Sequence, residues 1–252
     1  MKRHEIFPVP IWEFTYSEAE AFREKIVPMF KDIENKNPNK EMTYTKEGYT
    51  SYGPITNILD YDECKEIKNF IMGNVVEAVK DLGLEGYCNM TGSWFNNNRK
   101  YSSHGPHNHV PDTISGIYYV QAEENDARIS FHDQNKISNW PWKAPSIIND
   151  MTRRVHSFKP KTGRLLLFPS YIEHSVEQQL TDNERISISF NASGECLNNK
   201  LIKIVLIQTL FPLPVAPATR PCGIFVIDVY TPLPSISNPS ATVKGSVLSI
   251  ND

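Results

Sequence analysis

Cysteine is scarce in this sequence, and what there is comes unpaired in spacing. Cys64, Cys88, Cys196 and Cys222 lie far apart and form no C-x-x-C. That argues against a zinc ribbon or a disulfide framework, and four scattered thiols suit a reducing, cytoplasmic setting. Long apolar runs are also missing. None reaches the ~18 residues a membrane span needs, so no membrane partner is expected. The start, Met1-Lys-Arg-His-Glu-Ile6 followed by Phe7-Pro-Val-Pro10, has no apolar core of a secretory signal. The glycosylation-type triplets at Asn89 and Asn191 are therefore read as chance matches. Nor is there a large excess of charge. The net charge of −3 over 252 residues argues against a protein held mainly by phosphate, and no duplex nucleic acid is expected as partner. Internal repeats and low-complexity blocks are absent.

What is present is ordinary for a soluble globular chain: 40% hydrophobic and 22% charged residues, enough for one large domain or a domain with an appendage. The charge is unevenly spread. Of 26 basic and 29 acidic residues, only Lys203, Arg220, Asp228, Lys244 and Asp252 fall beyond position 200. The same stretch holds seven of the 18 prolines. The shift sets a boundary near residues 195–200, with a domain over 1–198 and a Pro-rich apolar tail over 199–252 whose role the sequence does not state.

The first part reads as two helices followed by many short strands. Phe7 to Tyr16 is a strand interrupted by prolines. Ser17-Glu-Ala-Glu20 has capping-box spacing and opens a helix that must tolerate Pro28 or end near it. From Asp60 to about Leu82, Ile67, Phe70, Ile71, Met72, Val75, Val76 and Val79 recur at helical spacing and form a core-facing stripe. Strand-like runs follow at Thr91–Phe95, Thr113–Gln121, Arg128–His132, Arg164–Phe168, Glu173–Glu177 and Arg185–Asn191. This pattern fits an antiparallel sandwich or barrel.

Six of the seven histidines fall between residues 104 and 174. His107 and His109 are two apart; in a strand such positions share a face, roughly 6.5–7 Å apart. Two imidazoles so placed can converge on one ion, since imidazole suits iron, zinc, copper and nickel. A third ligand must come from elsewhere. His174, which follows a buried-type strand and a Pro-Ser turn, is the natural candidate. Arg185 lies 11 residues further, close enough for a hairpin to return it to the same cavity. Its fork matches a carboxylate in two-point geometry. Ser187 shares its strand face. His104 reads as a surface or supporting residue, and His132 and His156 as ordinary ones. Trp140-Pro-Trp142 sits in a Pro-rich connection read as a loop near the mouth.

Taken in order, these motifs resemble the iron(II)/2-oxoglutarate-dependent oxygenases, in particular a branch with an H-x-H motif found in bacteria, marine metagenomes and phages. The resemblance rests on Phe7-Pro-Val-Pro-Ile-Trp12, Trp94-Phe-Asn96, His107-Asn-His109 followed by Ser115-Gly-Ile-Tyr-Tyr119, Phe168-Pro-Ser170 with His174, and Arg185-Ile-Ser187. It covers about residues 5–195. It implies a mainly β fold with flanking helices, a double-stranded β-helix (jelly-roll) barrel with the metal at its mouth. It further implies Fe(II) held by His107, His109 and His174, with 2-oxoglutarate as cosubstrate and O2 as oxidant. Arg185, Ser187, Tyr119 and Asn96 would bind the cosubstrate. The implied reaction is hydroxylation of a peptide or small molecule, with succinate and CO2 as coproducts.

One position departs from the wider pattern. Most of the superfamily has Asp or Glu two residues after the first histidine; here His109 stands there, and no histidine has an acidic residue two places later. Asp112 and Asp133 are the nearby carboxylates that could serve instead. Two other readings stay open: a three-histidine dioxygenase of cupin type that does not use 2-oxoglutarate, and a non-catalytic jelly-roll interaction module. Substrate and oligomeric state are not readable from the sequence.

Overall fold

A computed structural model describes residues 2, 8–38, 47–55, 57–84, 87–134, 147–149 and 152–195, all within the unit 1–207. The tail 199–252 and the segment Trp140–Trp142 lie outside the described residues. The elements run β1 (Trp12–Thr15), α1 (Ala19–Lys36), β2 (Tyr49–Thr50), two short 3-10 turns (Ile58–Asp60 and Asp62–Cys64), α2 (Lys65–Asp81), β3 (Tyr87–Asn98), β4 (His104–His107), β5 (Ile114–Gln121), β6 (Ile129–His132), β7 (Val155–Phe158), β8 (Arg164–Pro169), β9 (His174–Val176) and β10 (Arg185–Glu195). They form a six-stranded sheet, β1-β8-β5-β10-β3-β2, and a four-stranded sheet, β4-β9-β6-β7. Every strand pairing is antiparallel. Among the described residues, no helix is long and apolar enough to cross a membrane.

Strand alternation sorts the six-stranded sheet into two faces. Tyr118 and Val120 of β5, Leu165 and Leu167 of β8, and Ile186, Ile188 and Phe190 of β10 pack with the helices in one core. The helices contribute Phe22, Ile26 and Phe30 from α1, and Ile67, Ile71 and Val75 from α2. Phe30 stacks on Phe95 of β3 at 4.1 Å between centroids. The residues in between, Ile117, Tyr119, Leu166 and Phe168, join Ile129 and Phe131 in a second core. On β3 and β10 that second face is polar instead, with Asn96, Asn98, Arg185 and Ser187, and it becomes the site.

One local expectation is corrected, and one left open is decided. The capping box at Ser17 is not used: α1 begins at Ala19 after Glu18, and no side chain caps it. Burial of Ala19, Phe22, Ile26, Phe30 and Ile33 sets the register of this helix, and Ser17 falls one residue too early to cap it. Of the two outcomes open at Pro28, α1 tolerates the proline and runs on to Lys36. Its ring lies on the exposed side of the helix, where the carbonyl it leaves unbonded meets water rather than core.

Gly116 of β5 shows how tightly the helix-side core is filled. A Cβ there would lie 2.2 Å from Phe190 Cζ and 2.8 Å from Leu167 Cδ2. Gly116→Ala therefore forces two core side chains aside, at a cost of about 1–3 kcal/mol. The expected result is a lower urea midpoint with an unchanged slope; an unchanged midpoint would show that Phe190 rotates away freely.

Candidate metal centre

The four-stranded sheet brings the histidines together by register. His107 of β4 lies opposite His174 of β9, and His174 lies opposite Phe131 of β6. The H-x-H pair does not share a strand as the sequence suggested: β4 stops at His107, and His109 sits in the turn beyond it. That turn is closed by the Asp112 N–H on the His109 carbonyl at 3.0 Å, while the His109 N–H bonds the Ser170 carbonyl at 2.9 Å. The three rings converge all the same. Their centroids lie 5.0 Å (His107–His109), 4.4 Å (His107–His174) and 5.1 Å (His109–His174) apart. One nitrogen from each lies within 4.8 Å of the others. Two ligands on one ion at ~2.1 Å stand no more than ~4.2 Å apart, so small ring rotations bring all three into coordination range. Among the described residues this group could hold a metal, and neither Asp112 nor Asp133 belongs to it.

The protonation pattern suits a cation. His107 Nδ1 lies 2.8 Å from the Gly105 carbonyl, and His174 Nδ1 lies 3.0 Å from the Ile172 carbonyl. A carbonyl only accepts, so in both rings Nδ1 carries the proton and Nε2 is the free lone pair. Burial, reinforced by His107, pushes His174 down to about 3; the Ile172 carbonyl opposes this. Burial and His107 likewise push His109 down to about 4, against the pull of Asp112. His104 falls to about 4 through burial, Arg185 and His107. His109 and His174 are therefore neutral at pH 7 and available as ligands. The same shifts make the metal-free protein acid-sensitive. The unfolded chain takes up protons near pH 6.5, where the folded one does not, so the histidines' contribution to stability should be lost from pH 6.5 down to about 3. Chemical denaturation across that window checks it; a flat profile would mean the histidines are solvated.

Behind the histidines lies a cavity lined in part by Trp94, Asn96, Asn98, His104, Arg185 and Ser187. Arg185 is fully buried, yet among the described residues it makes no ion pair. Its Nη1 donates to Asn98 Oδ1 at 2.8 Å. Its Nη2 lies 3.5 Å from the Tyr119 hydroxyl, and the guanidinium stands 4.9 Å over that ring. Arg185 Nε, Ser187 Oγ and Asn96 Oδ1 are buried with no hydrogen-bond partner. Asn96 Nδ2 donates to Ser189 Oγ at 3.1 Å. Tyr119 touches Arg185 and is not part of the cavity lining. Outside the site, His132 bonds Ser175 Oγ at 2.9 Å and His156 packs on Phe158.

The sequence did not single out Asn98, and His104, read as a supporting or surface residue rather than a ligand, lines the cavity outside the metal-binding group. Asn98 could have been found: Trp94, Asn96 and Asn98 alternate along β3, so a lining residue at 96 implies one at 98. His104 is brought to the cavity by β4 pairing with Val176 of β9.

Two antiparallel sheets with outer helices form a double-stranded β-helix, and three histidines converge in it from β4, from β9 and from the turn after β4 as a candidate metal site. Comparison with known proteins specifies this further. Residues 92–191 match the family described as "Putative 2OG-Fe(II) oxygenase". Among solved structures, a prolyl-4-hydroxylase from Pseudomonas putida has 12% identity and a TM-score of 0.53, covering 74% of this chain and 94% of that one. The non-haem alpha-ketoglutarate-dependent epimerase SnoN from nogalamycin biosynthesis has 7% identity and a TM-score of 0.51, covering 74% and 78%. For a 2OG-Fe(II) oxygenase-family oxidoreductase from Burkholderia pseudomallei the values are 16% and 0.37, and this chain spans only 58% of its length. At such identities the first two establish the fold alone. No curated protein sequence matches the chain.

Proposed function

We propose that this protein is an Fe(II)- and 2-oxoglutarate-dependent dioxygenase that hydroxylates a peptide or small molecule, with succinate and CO2 as coproducts and residues 1–198 as its catalytic domain. The observation that carries the reading is Arg185, a buried guanidinium without a carboxylate partner among the described residues, in the cavity that the three histidines close. An isolated buried charge is costly, and a dicarboxylate cosubstrate supplies the missing anion.

The donor set fits the metal, for three converging imidazoles, two of them with Nδ1 anchored on a backbone carbonyl, suit a divalent iron. His107, His109 and His174 would hold it. Bound iron supplies the oxygen chemistry that no side chain here can perform. Arg185 Nε and Ser187 Oγ, both unpartnered, would take the distal carboxylate, with Asn98 and Tyr119 fixing the guanidinium. Asn96 Oδ1 offers an acceptor on the same wall. Ile117, Ile129, Phe168 and Val176 line the cavity and limit water.

His109 in place of a carboxylate favours one second reading, a three-histidine dioxygenase that does not use 2-oxoglutarate. That reading gives Arg185 no anion to hold. Anaerobic iron(II) titration with and without 2-oxoglutarate separates the two. A visible metal-to-ligand charge-transfer band that appears only with 2-oxoglutarate is the expected result. Iron binding with no such band moves the protein to the second reading.

A further inference from the structure

Asp112 was a candidate ligand in the sequence, and the structure gives its carboxylate a different task. Oδ1 accepts from Thr91 Oγ1 at 2.7 Å and from Ser193 Oγ at 2.8 Å. Thr91 lies on β3 and Ser193 on β10, so one carboxylate oxygen ties the loop to two strands of the six-stranded sheet. Asp112 is also the last residue of the turn that begins at His109, closed by its own N–H on the His109 carbonyl. The next residue continues the fastening: the Thr113 N–H bonds the Ala192 carbonyl at 3.1 Å, and the Ser170 N–H bonds the Thr113 carbonyl at 3.0 Å.

The other end of the turn is held by the His109 N–H on the Ser170 carbonyl. Ser170 is itself buried and shares a 2.7 Å hydroxyl contact with Ser115 of β5. Four residues after Ser170 the chain reaches His174. His107 and His174 are set by strand pairing and by their own Nδ1 contacts. His109 has neither: it lies outside β4, in an exposed loop that includes Val110 at 61% exposure. Its position therefore depends on the two ends of its turn.

We infer that Asp112 is the positioning residue for His109, a carboxylate that orients a ligand without coordinating the metal. The inference rests on the metal-site reading above. Asp112 acts through Oδ1 as a hydrogen-bond acceptor, which an asparagine side-chain oxygen reproduces and an alanine does not. Groups that orient ligands in this way contribute about 10–100-fold to metal affinity.

The test uses the full chain and cobalt(II) alone as probe, with calorimetric affinity and the melting temperature of the metal-free protein as paired readouts. In Asp112→Ala, cobalt affinity should fall at least tenfold. In Asp112→Asn it should stay within about twofold of the parent chain, as expected where only the acceptor matters. Thr91→Val removes one of the two donors and should give an intermediate loss. Combined with Asp112→Ala it should add nothing further, because both act through one contact. Thr91 is exposed and the swap keeps its shape, so this variant reports even if Asp112→Ala does not fold. Asp112→Asn as weak as Asp112→Ala would overturn the inference and make the charge, or direct ligation, the cause. So would Asp112→Ala with unchanged affinity and only a lower melting temperature, the signature of a loop-stabilising role. His109→Ala is the control for the underlying reading. If it binds cobalt as the parent does, the metal-site reading itself fails, whatever the Asp112 variants do.

Discussion

His174→Ala should abolish the metal-dependent rise in melting temperature. His174 is the most enclosed of the three rings, 5% exposed, and it contacts both His107 and His109. An ion that binds only the folded state stabilises it by RT ln(1 + [L]/Kd), about 2.7 kcal/mol at 100 times Kd. For a domain of this size that is roughly 5–10 °C. Removing the ring leaves two imidazoles, one on an exposed strand end and one in a loop. The affinity should fall by more than about 100-fold, beyond the loss expected when a group that merely orients a ligand is removed. Thermal scans with cobalt(II) or nickel(II) at fixed excess read this directly. A second readout guards against simple unfolding. The ring whose ionisation burial depresses furthest disappears, so the metal-free variant should lose less stability between pH 6.5 and 3 than the parent chain. A variant with an undiminished metal shift would remove His174 from the ligand set.

Much of the fold was legible because alternation wrote it plainly. Ile114–Gln121, Arg164–Pro169 and Arg185–Glu195 carry apolar residues at every second position on the helix side, and the observed strands start within one residue of the expected ones. The stripe from Ile67 to Val79 gave α2 for the same reason. β4 was not legible. His-Gly-Pro-His has little strand propensity, and it is extended because β9 lies beside it, 70 residues away in places. That hidden pairing is why the H-x-H spacing suggested the right residues by the wrong geometry: His109 reaches the cluster from a turn, where period-two reasoning does not apply. The contacts that equip the site are equally remote. Asn98 meets Arg185 across 87 positions, and Asp112 meets Ser193 across 81. Side-chain hydrogen bonds at such separations leave no local pattern; only the strand register reveals them.

Arg185→Met should separate binding from folding, because the two depend on this residue in opposite directions. The guanidinium is fully buried, has one good hydrogen bond to Asn98, and keeps Nε unpartnered. In the ligand-free protein this is a desolvated cation with too little compensation. Replacing such a charge with an apolar side chain of similar length is commonly neutral or stabilising, by up to about 1–4 kcal/mol. The methionine would extend toward apolar neighbours such as Ile129 and Phe168, which line the same cavity. The variant should therefore unfold at equal or higher denaturant than the parent. Its grip on 2-oxoglutarate should collapse. Truncating one partner of a buried, hydrogen-bonded charge pair costs about 2–5 kcal/mol, which corresponds to roughly 30- to 5,000-fold in affinity. Cobalt affinity should hardly change, since Arg185 is not part of the ligand set. Stability kept, metal kept and 2-oxoglutarate lost is a combination that a structural arginine does not produce. If Arg185→Met instead unfolds the domain, or binds 2-oxoglutarate as before, the guanidinium belongs to the core and the anion site lies elsewhere.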